Sequence, residues 1–92
     1  QLETEIRATH NRLGALSRAI DASRQAVTQA RRGLQAERER LLAGETVDIA
    51  VLGRQVRLNV AESEVDFYEL EYLRAWARLQ YLMGRDLSRA AL

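Results

Sequence analysis

The fold is decided by seven residues near the middle of the chain, Leu42-Ala43-Gly44-Glu45-Thr46-Val47-Asp48. Gly44 suits the position just past a helix end, because that residue takes a left-handed conformation that glycine adopts without strain. Thr46 or Asp48 can then cap the start of a second helix. A connection this short makes the two helices antiparallel neighbours. We therefore predict a helical hairpin with its turn at residues 44–47.

Apolar residues on both sides of this turn recur in steps of three and four, the heptad pattern of a helix that packs along one stripe. We call each stripe a seam. The first seam, in which Thr9, Ser23 and Glu37 are the polar positions, contains Leu2, Ile6, Leu13, Leu16, Ile20, Val27, Ala30, Leu34 and Leu41. The second seam, in which Arg54 is the polar position, contains Val51, Leu58, Ala61, Val65, Tyr68, Tyr72, Ala75, Leu79 and Leu82.

Folding the chain back at Gly44 matches the two seams residue by residue. It sets apolar residues opposite each other in the pairs Leu41–Val51, Leu34–Leu58, Val27–Val65, Ile20–Tyr72 and Leu13–Leu79. The chain has no proline to interrupt either helix. We predict an all-α fold, a long antiparallel, coiled-coil-like hairpin that is part of a bundle or α-barrel. Its helices cover residues 2–43 and 47–84, Gly84 ends the second helix, and residues 85–92 form a short tail.

Each helix also carries a second apolar stripe beside its seam. In the first helix it consists of small residues, Ala8, Ala15, Ala19, Ala22, Ala26, Gly33 and Ala36. In the second helix it consists mainly of large residues, Leu52, Val56, Val60, Phe67, Leu70, Ala77 and Tyr81. A lone hairpin buries only its seams, so we expect the chain to self-associate or to pack against other helices.

Composition narrows the possible functions. The 14 basic and 13 acidic residues leave a net charge of +1, which provides no electrostatic footprint for nucleic acid. No apolar run is long enough to span a membrane. The chain begins at Gln1 without methionine, so we expect it to be part of a longer protein in which other segments contact the membrane. It has no cysteine, no phosphate-binding loop and no nucleophile–base motif, so we expect neither enzymatic activity nor a cofactor.

Three other groups of residues have both a functional and a structural interpretation. His10 is the only histidine, and a solvated helix residue is a better interpretation than a metal ligand. An acidic stretch could line a channel, but fits cross-helix ion pairs better, with Glu62 near Arg31 and Glu69 near Arg24; it contains Glu62, Glu64, Asp66, Glu69 and Glu71. An aromatic group could form a ligand platform, but its spacing favours packing between helices; it contains Phe67, Tyr68, Tyr72, Trp76 and Tyr81.

The turn is the best candidate for a functional site, because loops at the end of a rigid scaffold often carry function. Its alternative role is merely to close the hairpin. The candidate residues for docking a partner are Gly44, Glu45, Thr46, Asp48 and Arg54, with Arg57 nearby. Arg54 stands at a seam position where an apolar residue is expected. We predict that its guanidinium reaches solvent or pairs with Asp48 or Glu45 of the same or an adjacent hairpin.

The stretch from Tyr72 to Gly84 resembles the closing segment of a repeat of the TolC family of outer-membrane efflux proteins, in which an aromatic residue is followed by spaced alanines, then Leu-Gln, then glycine. Here these elements are Tyr72, Ala75, Ala77, Leu79-Gln80 and Gly84. The segment Leu41-Leu42-Ala43-Gly44, followed by Val51-Leu52, resembles the periplasmic turn of the same family. The family often carries acidic residues at the sixth and ninth positions after this glycine, where this chain has Ala50 and Gly53.

The resemblance implies a hairpin of the periplasmic tunnel of a trimeric Gram-negative outer-membrane channel that exports small molecules, metals or proteins. The implied partners are a periplasmic adaptor and an inner-membrane transporter. Two alternatives remain. A periplasmic adaptor hairpin fits at Arg38 and Leu42 but not at Ile49, and a cytosolic coiled-coil module would have the same heptads.

Overall fold

The computed structural model describes residues 1–91 and contains two helices, α1 (Leu2–Leu42) and α2 (Asp48–Ala91). The two helices form a long hairpin, which confirms the predicted all-α fold. Good helix formers such as Ala, Leu, Arg, Glu and Gln dominate both helices. Within residues 1–91, neither helix is long and apolar enough to cross a membrane.

The chain divides into two compact units, each of which contains part of both helices. The turn unit consists of Asp21–Asp66 and includes the connection between α1 and α2. The terminal unit consists of Gln1–Ile20 together with the chain from Phe67 onward.

The core of the turn unit is a cluster of aliphatic side chains. Val27, Leu34 and Leu58 are buried, and Ala30, Val51, Ala61 and Val65 pack against them. The predicted pairs Leu34–Leu58 and Val27–Val65 therefore lie in one cluster. Beside it, Arg31 Nη2 donates a hydrogen bond to Glu62 Oε2 at 3.2 Å, which confirms that predicted ion pair. The pairing of Glu69 with Arg24 stays a prediction.

The core of the terminal unit contains larger side chains. Leu13, Leu16, Ala75 and Leu79 are buried, and Ile6, Tyr68 and Tyr72 pack against them. Leu82 is completely buried, with 0% of its surface exposed. Ion pairs between the two helices accompany this core, joining Arg12 to Glu71 at 3.6 Å and Arg78 to Glu5 at 3.8 Å.

Burial along both helices follows the predicted seams. Every seam position is buried or half-buried, including the polar positions Thr9, Ser23, Glu37 and Arg54. By contrast, the second stripe of α2 is exposed along its length, and most of the alanine stripe of α1 is exposed as well. The heptad pattern therefore identified the packed face of each helix correctly.

The predicted end of the second helix was wrong. Helix α2 continues through Gly84 to Ala91, so the expected tail is helical over residues 85–91; Leu92 lies outside the described residues. A glycine ends a helix when it takes the left-handed conformation, and within residues 1–91 only Gly44 has a positive φ. In helical conformation a glycine costs about 1 kcal/mol relative to alanine, and the proline-free residues that follow keep the helix going.

Candidate partner-docking site at the turn

The turn begins with a Schellman motif centred on Gly44, whose φ is +75°. The amide of Gly44 donates to the carbonyl of Leu41 at 3.0 Å, and the amide of Glu45 donates to the carbonyl of Arg40 at 2.8 Å. These two bonds satisfy carbonyl groups that the end of α1 would otherwise leave without partners. The left-handed glycine predicted from the sequence is thus confirmed.

Arg40 contacts the turn through its side chain as well as through its backbone carbonyl. Its Nη2 donates to the carbonyl oxygen of Glu45 at 3.4 Å, so both backbone polar groups of Glu45 are bonded to Arg40. Its Nη1 donates to Glu37 Oε2 at 3.2 Å. The side chain of Glu37 is only 7% exposed, so this arginine joins a buried carboxylate to the backbone of the turn.

Within the chain, Arg54 pairs with Glu37, and not with Asp48 or Glu45 as predicted, whereas its pairing with an adjacent hairpin stays a prediction. Its Nε lies 3.5 Å from Glu37 Oε1, while Asp48 and Glu45 remain exposed. Both partners occupy polar positions in otherwise apolar seams, and the fold-back places these positions opposite each other. The guanidinium also lies against Gly33, where a Cβ atom would be 3.0 Å from Arg54 Nη1.

The cap position of α2 belongs to Val47, and not to Thr46 or Asp48 as predicted. Asp48 is the first residue of the helix, and the carbonyl of Val47 accepts a hydrogen bond from the amide of Ala50 at 3.0 Å. The valine side chain has no acceptor for the free amides of the first turn. The carboxylate of Asp48 still lies in the first turn of α2, where it interacts favourably with the helix dipole.

We expect Val47→Ser to raise the free energy of unfolding by about 1 kcal/mol, because the hydroxyl can accept a hydrogen bond from the first turn of α2. Urea unfolding followed by circular dichroism at fixed protein concentration would measure the change. Val47→Ala is the matched control, since alanine also removes the valine side chain but offers no acceptor at the cap. Equal effects of the two substitutions would contradict the assignment of Val47 to the cap.

The surface around the turn contains exposed aliphatic side chains as well as the predicted polar groups. Leu42, Val47 and Ile49 are exposed by 89%, 61% and 71%, and the exposed acids Glu45 and Asp48 lie among them in the sequence. Only glycine and polar residues had been predicted as functional at the turn. None of the three aliphatic residues occupies a seam position, and this absence from the heptad pattern could have identified them as surface residues. The turn therefore presents an apolar surface with two carboxylates.

The second apolar stripe of α2 was predicted beside the seam, but it is exposed and lies on the side of the helix away from the seam. We call it the outer face of α2; it contains Leu52, Val56, Val60, Phe67, Leu70, Ala77 and Tyr81. Among these, the five large residues from Leu52 to Leu70 are each about half exposed. Surfaces of this extent on soluble proteins usually mark sites of interaction.

The aromatic group and His10 were the remaining candidates for a ligand or metal site. Tyr68 and Tyr72 pack against the core of the terminal unit, as the packing interpretation predicted, whereas Phe67, Trp76 and Tyr81 are exposed. His10 lies on the surface in a shallow groove beside Ile6, Leu79 and Met83. Within residues 1–91, no group of three or more His, Cys, Asp or Glu side chains is arranged to hold a metal ion.

Comparison with known proteins gives one similarity that bears on function. No protein-family model matches the chain, and no solved structure matches it at a significant level. The chain is 30% identical over 80 residues to alkaline protease secretion protein AprF of Pseudomonas aeruginosa. The match covers 87% of this chain and 17% of the length of that protein. The chain is a distant relative of part of a secretion protein.

Proposed function

We propose that the chain is a hairpin of the periplasmic tunnel of a TolC-like outer-membrane channel for efflux or secretion. In this role it is one segment of a longer chain, and three copies of that chain assemble so that their hairpins lie side by side around the tunnel. Other segments of the protein contact the outer membrane.

The observation that carries this proposal is the exposed outer face of α2. The seams already bury the surface that a lone hairpin uses, and yet Val60, Phe67 and Leu70 remain about half exposed on the opposite side of the helix. A helix that is apolar on two sides fits a position between two neighbours. A ring of hairpins gives every α2 such a position.

Two further observations support the same role. The name of the related protein places it in the secretion of an alkaline protease, and a chain that spans 17% of its length fits one segment of such a protein. The turn and the stretch from Tyr72 to Gly84 resemble the corresponding parts of TolC-family repeats.

We further propose that the turn is the end of the hairpin that docks a periplasmic adaptor or an inner-membrane transporter. Along the hairpin, the sides of the helices are committed to each other and to neighbouring hairpins, whereas the turn faces none of them. Exposed Leu42 and Ile49 provide apolar anchors, and exposed Glu45 and Asp48 provide charge selectivity.

In the full-length protein, we expect Ile49→Asp combined with Leu42→Asp to reduce export at least tenfold without disturbing assembly. Each lost anchor weakens docking by about 1–2 kcal/mol, and 1.4 kcal/mol corresponds to a factor of ten. Export or drug tolerance would be measured in cells that lack the chromosomal copy. Chemical cross-linking would report trimer formation. Asp48→Ala should have a smaller effect in the same direction.

Leu87→Asp is the matched control, because Leu87 is as exposed as Ile49 but lies at the other end of α2. It should leave export unchanged, as should Arg89→Ala. Wild-type export by the turn variants, with a normal amount of assembled protein, would mean that the turn only closes the hairpin. A full-length protein that forms no trimer would reject the tunnel itself.

A further inference from the structure

We infer that Glu37, although it is buried in the seam, is the residue that positions the turn. Each of its two carboxylate oxygens pairs with an arginine of a different helix. Oε1 lies 3.5 Å from Arg54 Nε of α2, and Oε2 lies 3.2 Å from Arg40 Nη1 of α1. Arg40 in turn donates to the carbonyl of Glu45 in the turn. A single carboxylate therefore connects both helices to the turn backbone.

Burial is what makes this connection specific. The Glu37 side chain is 7% exposed, whereas those of Arg40 and Arg54 are 53% and 41% exposed. A buried carboxylate without partners is costly, so Glu37 holds the two guanidinium groups at the seam more strongly than a surface acid would. Among the described residues, no buried side-chain nitrogen or oxygen lacks a hydrogen-bond partner.

The pair with Glu37 orients Arg40 so that its second amino group lies against the carbonyl of Glu45. Glu45 follows the left-handed Gly44, so the direction in which the chain leaves α1 depends on this contact. Glu37 therefore influences how the turn exposes Val47 and Ile49, although Glu37 itself is buried in the seam and is not part of the turn. The consequence for partner docking rests on the proposed function, but the positioning of the turn does not.

Hydrogen–deuterium exchange of the full-length protein, measured by mass spectrometry on peptides that cover residues 41–50, tests the inference. We expect Glu37→Gln to accelerate exchange in these peptides about fivefold to tenfold, which lies within the range for loss of one intramolecular hydrogen bond. Peptides that contain Leu34 or Leu58 should change by less than about twofold. The glutamine keeps the shape of the side chain and removes its charge.

Two further variants separate positioning of the turn from general stabilisation. Arg40→Met should accelerate exchange of the turn as Glu37→Gln does, although it leaves the Glu37–Arg54 pair in place. Arg38→Met is the matched control, because Arg38 donates to Gln55 on α2 and does not contact the turn. Since Arg40 is half exposed, its replacement leaves the seam intact and the test remains valid if a Glu37 variant fails to fold.

Turn exchange at the wild-type rate in Arg40→Met, or acceleration spread equally along both helices, would overturn the inference. A charge-swapped double variant provides a second criterion, because it restores the pair between the helices without restoring the contact with Arg40. The double variant Glu37→Arg with Arg54→Glu restores an attractive pair between the helices but places the introduced guanidinium one helical turn from Arg40, so the turn should remain fast. Faster turn exchange with unchanged export would support the role of Glu37 and would count against docking at the turn.

Discussion

Replacement of Leu82 by alanine is expected to lower the free energy of unfolding by about 3–4 kcal/mol. Leu82 has no exposed surface, and removing its branched end leaves a cavity that the surrounding helices fill only in part. Leu82 is the last position of the second seam and lies where no turn closes the hairpin. We expect its loss to open the terminal unit first.

Urea unfolding of the chain at one fixed concentration, followed by circular dichroism, would measure this effect. Leu87→Ala removes the same atoms five residues later, from a side chain that is 71% exposed, and should change the free energy by less than about 0.5 kcal/mol. Similar losses for the two variants would mean that Leu82 is not buried as described.

The combination of Val60→Glu and Leu70→Glu is expected to weaken self-association of the chain more than a hundredfold. Both side chains lie on the outer face of α2 and are about half exposed. Burying the remaining surface of each contributes about 1.5 kcal/mol, and two buried carboxylates without partners add a further cost. Since 1.4 kcal/mol corresponds to a factor of ten, loss of the apolar contribution alone exceeds a hundredfold.

Analytical ultracentrifugation would measure the association of the chain, and chemical cross-linking would measure trimer formation by the full-length protein. Gln25→Glu is the control, because it adds one glutamate, half the charge of the double variant, between Arg18 and Arg32 on the polar side of α1. The double variant should stay helical, since glutamate forms helices at least as well as valine does. A wild-type chain that is a stable, fully helical monomer at micromolar concentration would contradict the assignment of the outer face to a neighbouring helix.

These two experiments probe two different apolar surfaces of the same helix. The seam of α2 is buried within the hairpin, so Leu82→Ala acts on the folding of a single chain. The outer face is exposed in the hairpin, so Val60→Glu acts on assembly. A helix with two apolar surfaces gains stability when the second is covered, as it would be in the proposed position between neighbouring hairpins.

Much of the fold could be predicted because its signals are local. The steps of three and four predicted the seam positions, and burial agrees at every one of them, from Leu2 to Leu41 and from Val51 to Leu82. Gly44 was identifiable as a helix end because only glycine takes a positive φ there without strain. The predicted helix end at Gly84 was wrong because a glycine permits a helix to end but does not require it.

The candidate site was less predictable from local signals. The docking residues Gly44, Glu45, Thr46 and Asp48 do lie at the turn, and their role stays a proposal. Arg54 was assigned to the wrong carboxylate because Asp48 and Glu45 are nearer in sequence than Glu37. The fold-back that paired the apolar seam positions also pairs the polar ones, and following it through Glu37 would have identified the correct partner.

What the sequence by itself determined is periodic: two helices, the face that each one buries, and the glycine at which the chain reverses. Those features depend on neighbours three or four residues away, so they can be read along the chain. Only the tertiary structure decided that Glu37 takes both Arg40 and Arg54, and that Arg40 reaches the backbone of Glu45. Long, flexible side chains can reach several partners, and the choice among them depends on which carboxylate is buried when the helices pack.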